Sequence, residues 1–260
     1  MLRFNMSFNP FTLEDKTIII TGASSGIGRQ CAIDCSKMGA KVVLIARNKS
    51  RLIETISMME SPEKHSLYSI DLSQLYSIKP CVDEIIANSG KISGIVHAAG
   101  ISTVLPLKML SLELLDHFFK TNVYSALSLT KEVCRMGNYS KMGCSVIFFS
   151  SIMGCVGEKG KSLYSATKGA LISASRSLAV ELAVKNIRVN TISPGAIETP
   201  INTHQDYMSN VESRKILEDK HPLGLGMTTD ISNVCIFLLS DASRWITGQN
   251  LIVDGGYTAL

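Results

Sequence analysis

Short runs of β-branched and aliphatic residues alternate along the chain with longer stretches whose apolar positions recur every three or four residues. KTIII (16–20), KVVLIA (41–46), HSLYSI (65–70), the apolar part of ISGIVHAAG (92–100), CSVIFFSS (144–151), IRVNTIS (187–193) and QNLIVDGG (249–256) predict seven strands. Between them, residues 26–39, 49–59, the segment after Ser73 and 164–183 predict helices, the first closed by Gly39. CSVIFFSS is apolar without alternation, as expected of a strand buried on both faces of a parallel sheet. The alternation implies βαβ units, and hence an α/β fold with a doubly wound parallel sheet and helices on both faces. No repeat, low-complexity tract or linker interrupts the pattern, so a single domain over residues 1–260 is expected. The longest stretch without a predicted element runs from Pro194 to about Met227. It follows a strand's C-terminal end, where open α/β sheets bind ligands, and a lid-like loop is expected over about 195–227.

Composition narrows the function. Of 260 residues, 45% are hydrophobic and 18% charged, and the net charge is only +4. No Lys/Arg block concentrates that charge, which argues against a nucleic-acid partner. No apolar run approaches the roughly 20 residues of a membrane span, so no membrane partner is expected. The opening MLRFNMSFNPFTLEDK lacks the apolar core of a signal peptide, and a cytoplasmic location is expected. The seven cysteines (31, 35, 81, 134, 144, 155 and 235) are odd in number and scattered, with no C-x-x-C pair. They read as reduced, mostly buried thiols. The five histidines form no H-E-x-x-H pattern, so no metal is expected.

TGASSGIG (21–28) lies between the first strand and the first helix. Gly22 permits the tight turn, Gly26 lets backbone approach a pyrophosphate, and Gly28 allows close packing of helix on strand. The helix N-terminus offers unpaired N–H groups to phosphates. A dinucleotide site for NAD commonly has an acid at the end of the second strand. In VVLIARNKSRL that position is Ala46, followed by Arg47. A guanidinium there can pair with a 2′-phosphate, and the Ser24 hydroxyl can assist. NADP(H) is therefore expected in preference to NAD(H).

In SLYSATKGA (162–170), Tyr164 and Lys168 fall on one face of a helix, one turn apart. Carbonyl reduction needs a hydride and a proton, and a phenol at its ordinary pKa of about 10 is a weak acid for that task. An ammonium at ~4–5 Å in an effective dielectric of ~20 is worth roughly 3–4 kcal/mol. That is enough to bring the Tyr164 phenol toward neutrality.

The glycine pattern T-G-x-x-x-G-x-G, HAAG (97–100), Asn122, Ser151, YSATK (164–168), PGAIET (194–199) and VDGG (253–256) together resemble the short-chain dehydrogenase/reductase family over nearly the whole chain. The resemblance implies a Rossmann-type sheet of seven mainly parallel strands in three α/β/α layers. It also implies a homotetramer or dimer, with the long helix carrying Tyr164 and the C-terminal strand at interfaces. It assigns Tyr164 as acid/base and Ser151 as the residue that orients the substrate carbonyl. Lys168 lowers the Tyr164 pKa and bonds the nicotinamide ribose, and Asn122 holds a water in a proton relay behind Lys168. Cofactor contacts are implied for Gly22, Ser24, Ser25, Gly26, Ile27, Gly28, Arg47, Asn48, Asp71, Leu72, Ala98, Ala99, Gly100, Tyr164, Lys168, Pro194, Gly195, Ile197 and Thr199. Ser25 stands where some relatives carry a basic residue. Asp71 matches an acid that bonds the adenine amino group, although Asp71 or Ser73 could also cap the following helix. His97, which replaces a commoner Asn, is expected to be a structural hydrogen-bonding residue.

The implied partner is a small carbonyl substrate. PGAIET and ITGQNLIVDGGYT are similar to bacterial 3-oxoacyl-acyl-carrier-protein reductases, which admits a 3-oxoacyl thioester. Val180, where those enzymes often carry a basic residue, and GEKGKSL (157–163) depart from them. A free small ketone, steroid, sugar or secondary metabolite is the alternative, and a catalytically silent dinucleotide-binding regulator a further one. Ile152, Met153, Cys155, Leu105 and Leu107 would make the pocket apolar if they line it, and are otherwise core residues.

Overall fold

β1 (Thr17–Thr21) occupies the centre of the sheet, between β2 (Lys41–Ala46) and β4 (Gly94–His97). The computed structural model describes residues 9–199 and 210–260. β3 (Ser66–Ser69) lies outside β2, and β5 (Cys144–Phe149), β6 (Ile187–Pro194) and β7 (Asn250–Val253) follow β4, giving the order β3-β2-β1-β4-β5-β6-β7. Every pairing is parallel, so the mainly parallel sheet expected is wholly parallel. The chain reverses its direction of winding between β1 and β4. A crevice therefore opens over their C-terminal ends, the usual ligand site of this architecture.

The period of two along each strand sorts the core into two layers. Ile19, Val43, Ile95, Val146 and Val189 face one way, against α3 (Ile78–Ser89), α5 (Ser125–Val133) and α6 (Ser162–Leu182). Ile18, Ile20, Val42, Leu44, Val96 and Ile147 face the other, against α1 (Gly26–Lys37), α2 (Lys49–Ser57) and α8 (Thr228–Leu239). Cys31, Cys35 and Cys235 are buried where α1 meets α8. β5 is buried at all six positions, as its unbroken apolar run predicts.

Three stretches differ from expectation. Residues 112–133, where no helix was expected, form α4 (Leu112–Phe119) and α5, joined through a π-helical turn at Lys120–Tyr124. The stretch from Pro194 to Met227 is not all loop: α7 (Val211–Asp219) lies within it, capped by the Asn210 side chain, while 200–209 fall outside the described residues. Neither Asp71 nor Ser73 caps α3. Ser77 holds that position, and Asp71 Oδ1 instead accepts from the Ser73 N–H and hydroxyl (2.9 and 2.8 Å), closing a local turn.

Candidate active site

The glycine turn is held from three sides. Gly22 has φ +67°, and a Cβ there would stand 2.8 Å from the Ala98 carbonyl and the Ala99 nitrogen. Thr21 Oγ1 accepts the Ala99 N–H (3.0 Å), so the turns after β1 and β4 are locked together. A Cβ at Gly28 would lie 2.5 Å from the Gly22 carbonyl oxygen, which lets α1 start directly against the end of β1. Arg29 donates to the Ser24 carbonyl (2.8 Å) while its guanidinium grips Glu54 of α2 (2.9 and 3.0 Å). Thr55 Oγ1 donates to the Ala23 carbonyl (3.0 Å). Ser25 occupies the N-cap of α1 without a side-chain capping bond, and no acid stands in the first turn. The orphan N–H groups of that turn are thus presented to whatever anion sits above them.

A cavity of about 750 Å³ runs from this turn across the C-terminal ends of the strands. Every residue expected to touch a cofactor lines it, from Gly22 and Arg47 through Asp71 and Gly100 to Thr199, together with Ser151, Tyr164 and Lys168. Asn122 does not. It is buried behind the cavity wall, accepting from the Ile101 N–H (2.8 Å) and donating to the Ile101 carbonyl (3.0 Å) and Thr167 Oγ1 (3.1 Å). Its side-chain oxygen lies 3.3 Å from where a Gly100 Cβ would be, and Lys168 Nζ 3.5 Å from the same point.

The sequence reading missed several lining residues. Arg51 joins Arg47 where α2 begins, its N–H capped by Asn48 (3.0 Å). At the Asp71 wall stand His117 and Thr121, and Thr121 Oγ1 is buried without a hydrogen-bond partner among the described residues. Burial pushes the Asp71 carboxyl up, but hydrogen bonds from Ser73 and the charges of Arg47 and His117 together bring it below its ordinary range.

Ser151 lies two residues past β5 and caps a 3₁₀ turn, its hydroxyl accepting the Met153 N–H (3.2 Å). Lys168, buried in α6, donates from Nζ to the Phe149 carbonyl (2.8 Å) and stands 5.6 Å from the centre of the Tyr164 ring. Ser150 turns the other way, to the Lys168 carbonyl (2.9 Å). The expected drop of the Tyr164 pKa toward neutrality is not met in this geometry. Burial pushes the phenol up to about 12, and a hydrogen bond with Ser151 opposes it by less. Burial also brings Lys168 down to about 8. Desolvation dominates both groups.

The substrate end settles which of the five apolar residues line it. Ile152 and Met153 line it, but Cys155, Leu105 and Leu107 do not. Cys155 is exposed and its sulfur accepts from Asn250 (3.3 Å), while Leu107 borders a separate shallow depression. Val104, Leu217, Ser102, Glu158, Lys159, Lys161, His221 and Tyr257 complete it, so this end mixes apolar and polar side chains. His97 meets the structural expectation: buried, it hydrogen bonds Thr130 Oγ1 (2.8 Å) and stacks on Phe148 (4.9 Å between rings), and burial brings it down to about 3. Among the described residues no three His, Cys, Asp or Glu side chains gather to hold a metal ion, and no helix is long and apolar enough to cross a membrane.

Known proteins share this architecture and sequence. A family model described as enoyl-(acyl carrier protein) reductase matches residues 22–258. Cyclopentanol dehydrogenase of a Comamonas strain is 32% identical over 250 residues, covering 95% of this chain and 98% of its own. The 3-oxoacyl-(acyl-carrier-protein) reductase of Thermotoga maritima is 32% identical over 246 residues, covering 94% and 98%. The crystal structure of a gluconate 5-dehydrogenase from Burkholderia cenocepacia, in complex with NADP and tartrate, superposes with a TM-score of 0.89 at 25% identity, covering 96% of this chain and 98% of that one. Taken with the seven-stranded sheet and the glycine turn over its crevice, these matches make the chain a member of the short-chain dehydrogenase/reductase family, oxidoreductases acting on alcohols and ketones.

Proposed function

We propose that this protein is an NADP(H)-dependent oxidoreductase that interconverts a ketone and a secondary alcohol, with Tyr164 as the acid/base. The observation that carries the reading is convergence. Tyr164, Ser151 and Lys168 line the same cavity as the glycine turn and the Arg47–Arg51 pair. The fit to a dinucleotide rests on the uncapped start of α1, the two guanidiniums beyond β2 in place of an acid, and the unpartnered Thr121 hydroxyl that also lines the cavity. The first turn of α1 would hold the pyrophosphate, Arg47 and Arg51 the 2′-phosphate, and Asp71 with Thr121 the adenine side. Lys168 and the Pro194–Thr199 turn would hold the nicotinamide end. The cofactor supplies the hydride.

The chain's own groups supply the rest. Ser151 donates to the carbonyl oxygen and orients it, stabilising the charge that develops there. With its pKa pushed up to about 12, Tyr164 carries its proton throughout the neutral range, the form that donates to an alkoxide. Alcohol oxidation needs the phenolate, so that direction gains rate as pH rises and ketone reduction does not. Asn122 clamps Gly100 and Ile101 against α6 and so keeps the wall beside Lys168 in place, a role that the buried hydrogen bonds support better than a solvent relay.

For the substrate, the Ser102, Glu158, Lys159 and Lys161 side chains offer polar contacts to a free ketone, beside an apolar wall of Val104, Ile152 and Met153. A 3-oxoacyl thioester is the second reading, favoured by the 32% identity to the Thermotoga reductase. Assembly into a homo-oligomer belongs to the same proposal, with Val180 and Val184 exposed at the end of α6 and in the turn after it. So does a cytoplasmic, reducing setting, since none of the seven cysteines is paired. The test is NADPH oxidation against hydroxylated ketones and acetoacetyl-CoA, with NADH and Tyr164→Phe in parallel. Turnover with NADPH is expected, lowered by about 10²–10⁴ in the variant with NADPH binding intact. Turnover that survives the substitution would remove Tyr164 from the chemistry.

A further inference from the structure

The turn after β6 is tied down by a histidine that lies outside the glycine, Tyr–Lys and PGAIET motifs. His221 is buried two residues past the end of α7. Its Nδ1 lies 2.7 Å from the Leu217 carbonyl oxygen, which only accepts, so Nδ1 carries the proton. Nε2 is then the acceptor, and the Ala196 N–H donates to it (3.2 Å). The two bonds are consistent with one neutral tautomer and fix the ring between α7 and the turn. Gly195 leaves room for this: a Cβ there would stand 3.1 Å from Nε2 and 2.8 Å from the Asp254 Cα. On its far side the ring packs against Tyr257 (4.9 Å between centres).

Main-chain bonds continue the tie. Gly226 N–H donates to the Ala196 carbonyl (3.1 Å), Gly195 N–H to Val253 (2.9 Å), and Leu223 N–H to Gly255 (3.0 Å). Arg214 of α7 pairs with Glu198 of the same turn. Gly195, Ala196, Ile197 and Thr199 line the cavity beyond Lys168, as do Leu217, His221 and Tyr257. The direction of the Gly195–Ala196 peptide is therefore set by a side chain from another element, because its N–H is committed to the imidazole.

We propose that His221 is a positioning residue for the cofactor: its Nε2 holds the Gly195–Ala196 peptide so that the turn after β6 receives the nicotinamide half and leaves the adenosine half untouched. The inference rests on the reading of the cavity as an NADP(H) site. It goes beyond that reading by placing a control of nicotinamide binding on a residue 25 positions away in sequence from the turn it acts through.

The test compares two ligands on the full chain. NADPH occupies both halves of the cavity, whereas 2′,5′-ADP occupies only the adenosine half. His221→Phe keeps ring packing and removes both hydrogen bonds. His221→Asn keeps a polar group too short to reach Ala196. His221→Gln places an amide oxygen near the Nε2 position. In Phe and Asn the Kd for NADPH is expected to rise about tenfold, the loss of one buried hydrogen bond. The Kd for 2′,5′-ADP stays at the wild-type value, and Gln recovers most of the NADPH affinity. NADPH affinity unchanged in Phe and Asn overturns the proposal. So does an equal weakening of both ligands, which reports general damage, or a Gln variant no better than Phe. Failure of wild-type protein to bind either ligand would instead remove the cofactor site itself, and the proposal with it.

Discussion

At the end of the cavity under β1 and β2, the walls are mostly main chain: the Gly22–Gly28 turn, the Ala98–Gly100 turn and the uncapped start of α1. At the other end, past Tyr164, part of the wall is side chains from separate loops: Ser102 after β4, and Lys159 and Lys161 after β5. The first end is made of backbone pressed against backbone, where a single added carbon has nowhere to go. The second is made of groups that can be exchanged without moving the fold. One end can therefore keep a fixed ligand while the other changes its substrate, which suits a family whose members differ in what they oxidise.

Breaking the main-chain end should have the largest effect. Gly28→Ala forces a carbon to within 2.5 Å of the Gly22 carbonyl oxygen. A loss of about 3 kcal/mol is expected, seen as a lower Tm, together with loss of NADPH binding. A variant of wild-type Tm and affinity would show that this turn yields more than its contacts suggest. Exchanging the side-chain end should do far less. Lys159→Met combined with Lys161→Met is expected to leave Tm and the Kd for NADPH within about twofold of wild type. The KM for a polar or anionic ketone should rise by about two- to fivefold, since Lys159 is exposed and Lys161 half-buried. A shift in cofactor affinity larger than the shift in KM would mean that the two ends are not separable.

The contrast also explains what could be read in the chain beforehand. Glycine spacing, the missing acid after β2 and the Tyr–Lys pair are local, so the residues of this wall were legible one by one. Arg51 follows Arg47 by four residues, and only the helical turn that starts at Asn48 brings it to the cavity. α4 and α5 were not legible because the π-helical turn at Lys120–Tyr124 adds a residue to the winding and shifts the phase of the apolar positions. Asn122 was recognisable by its place in the pattern, but its partners Ile101 and Thr167 come together only in the folded chain. Whether Leu105, Leu107 and Cys155 line the cavity was not legible because nearness in sequence to a lining residue does not set which way a loop side chain turns. The pKa of Tyr164 was misjudged for a related reason. The helical spacing supplies the Lys168 charge, but the burial that disfavours the phenolate arises only in the folded chain.

The central claim is that two guanidiniums beyond β2 select a phosphorylated dinucleotide for a Tyr164-centred site. The most direct measurement is a titration of NADPH and NADH into wild-type protein and into Arg47→Ala combined with Arg51→Ala. NADPH is expected to bind wild type at least about tenfold tighter than NADH, and the double variant to lose that preference while keeping its NADH affinity. NADH binding as tightly as NADPH in wild type, or a preference that survives loss of both arginines, would contradict the account.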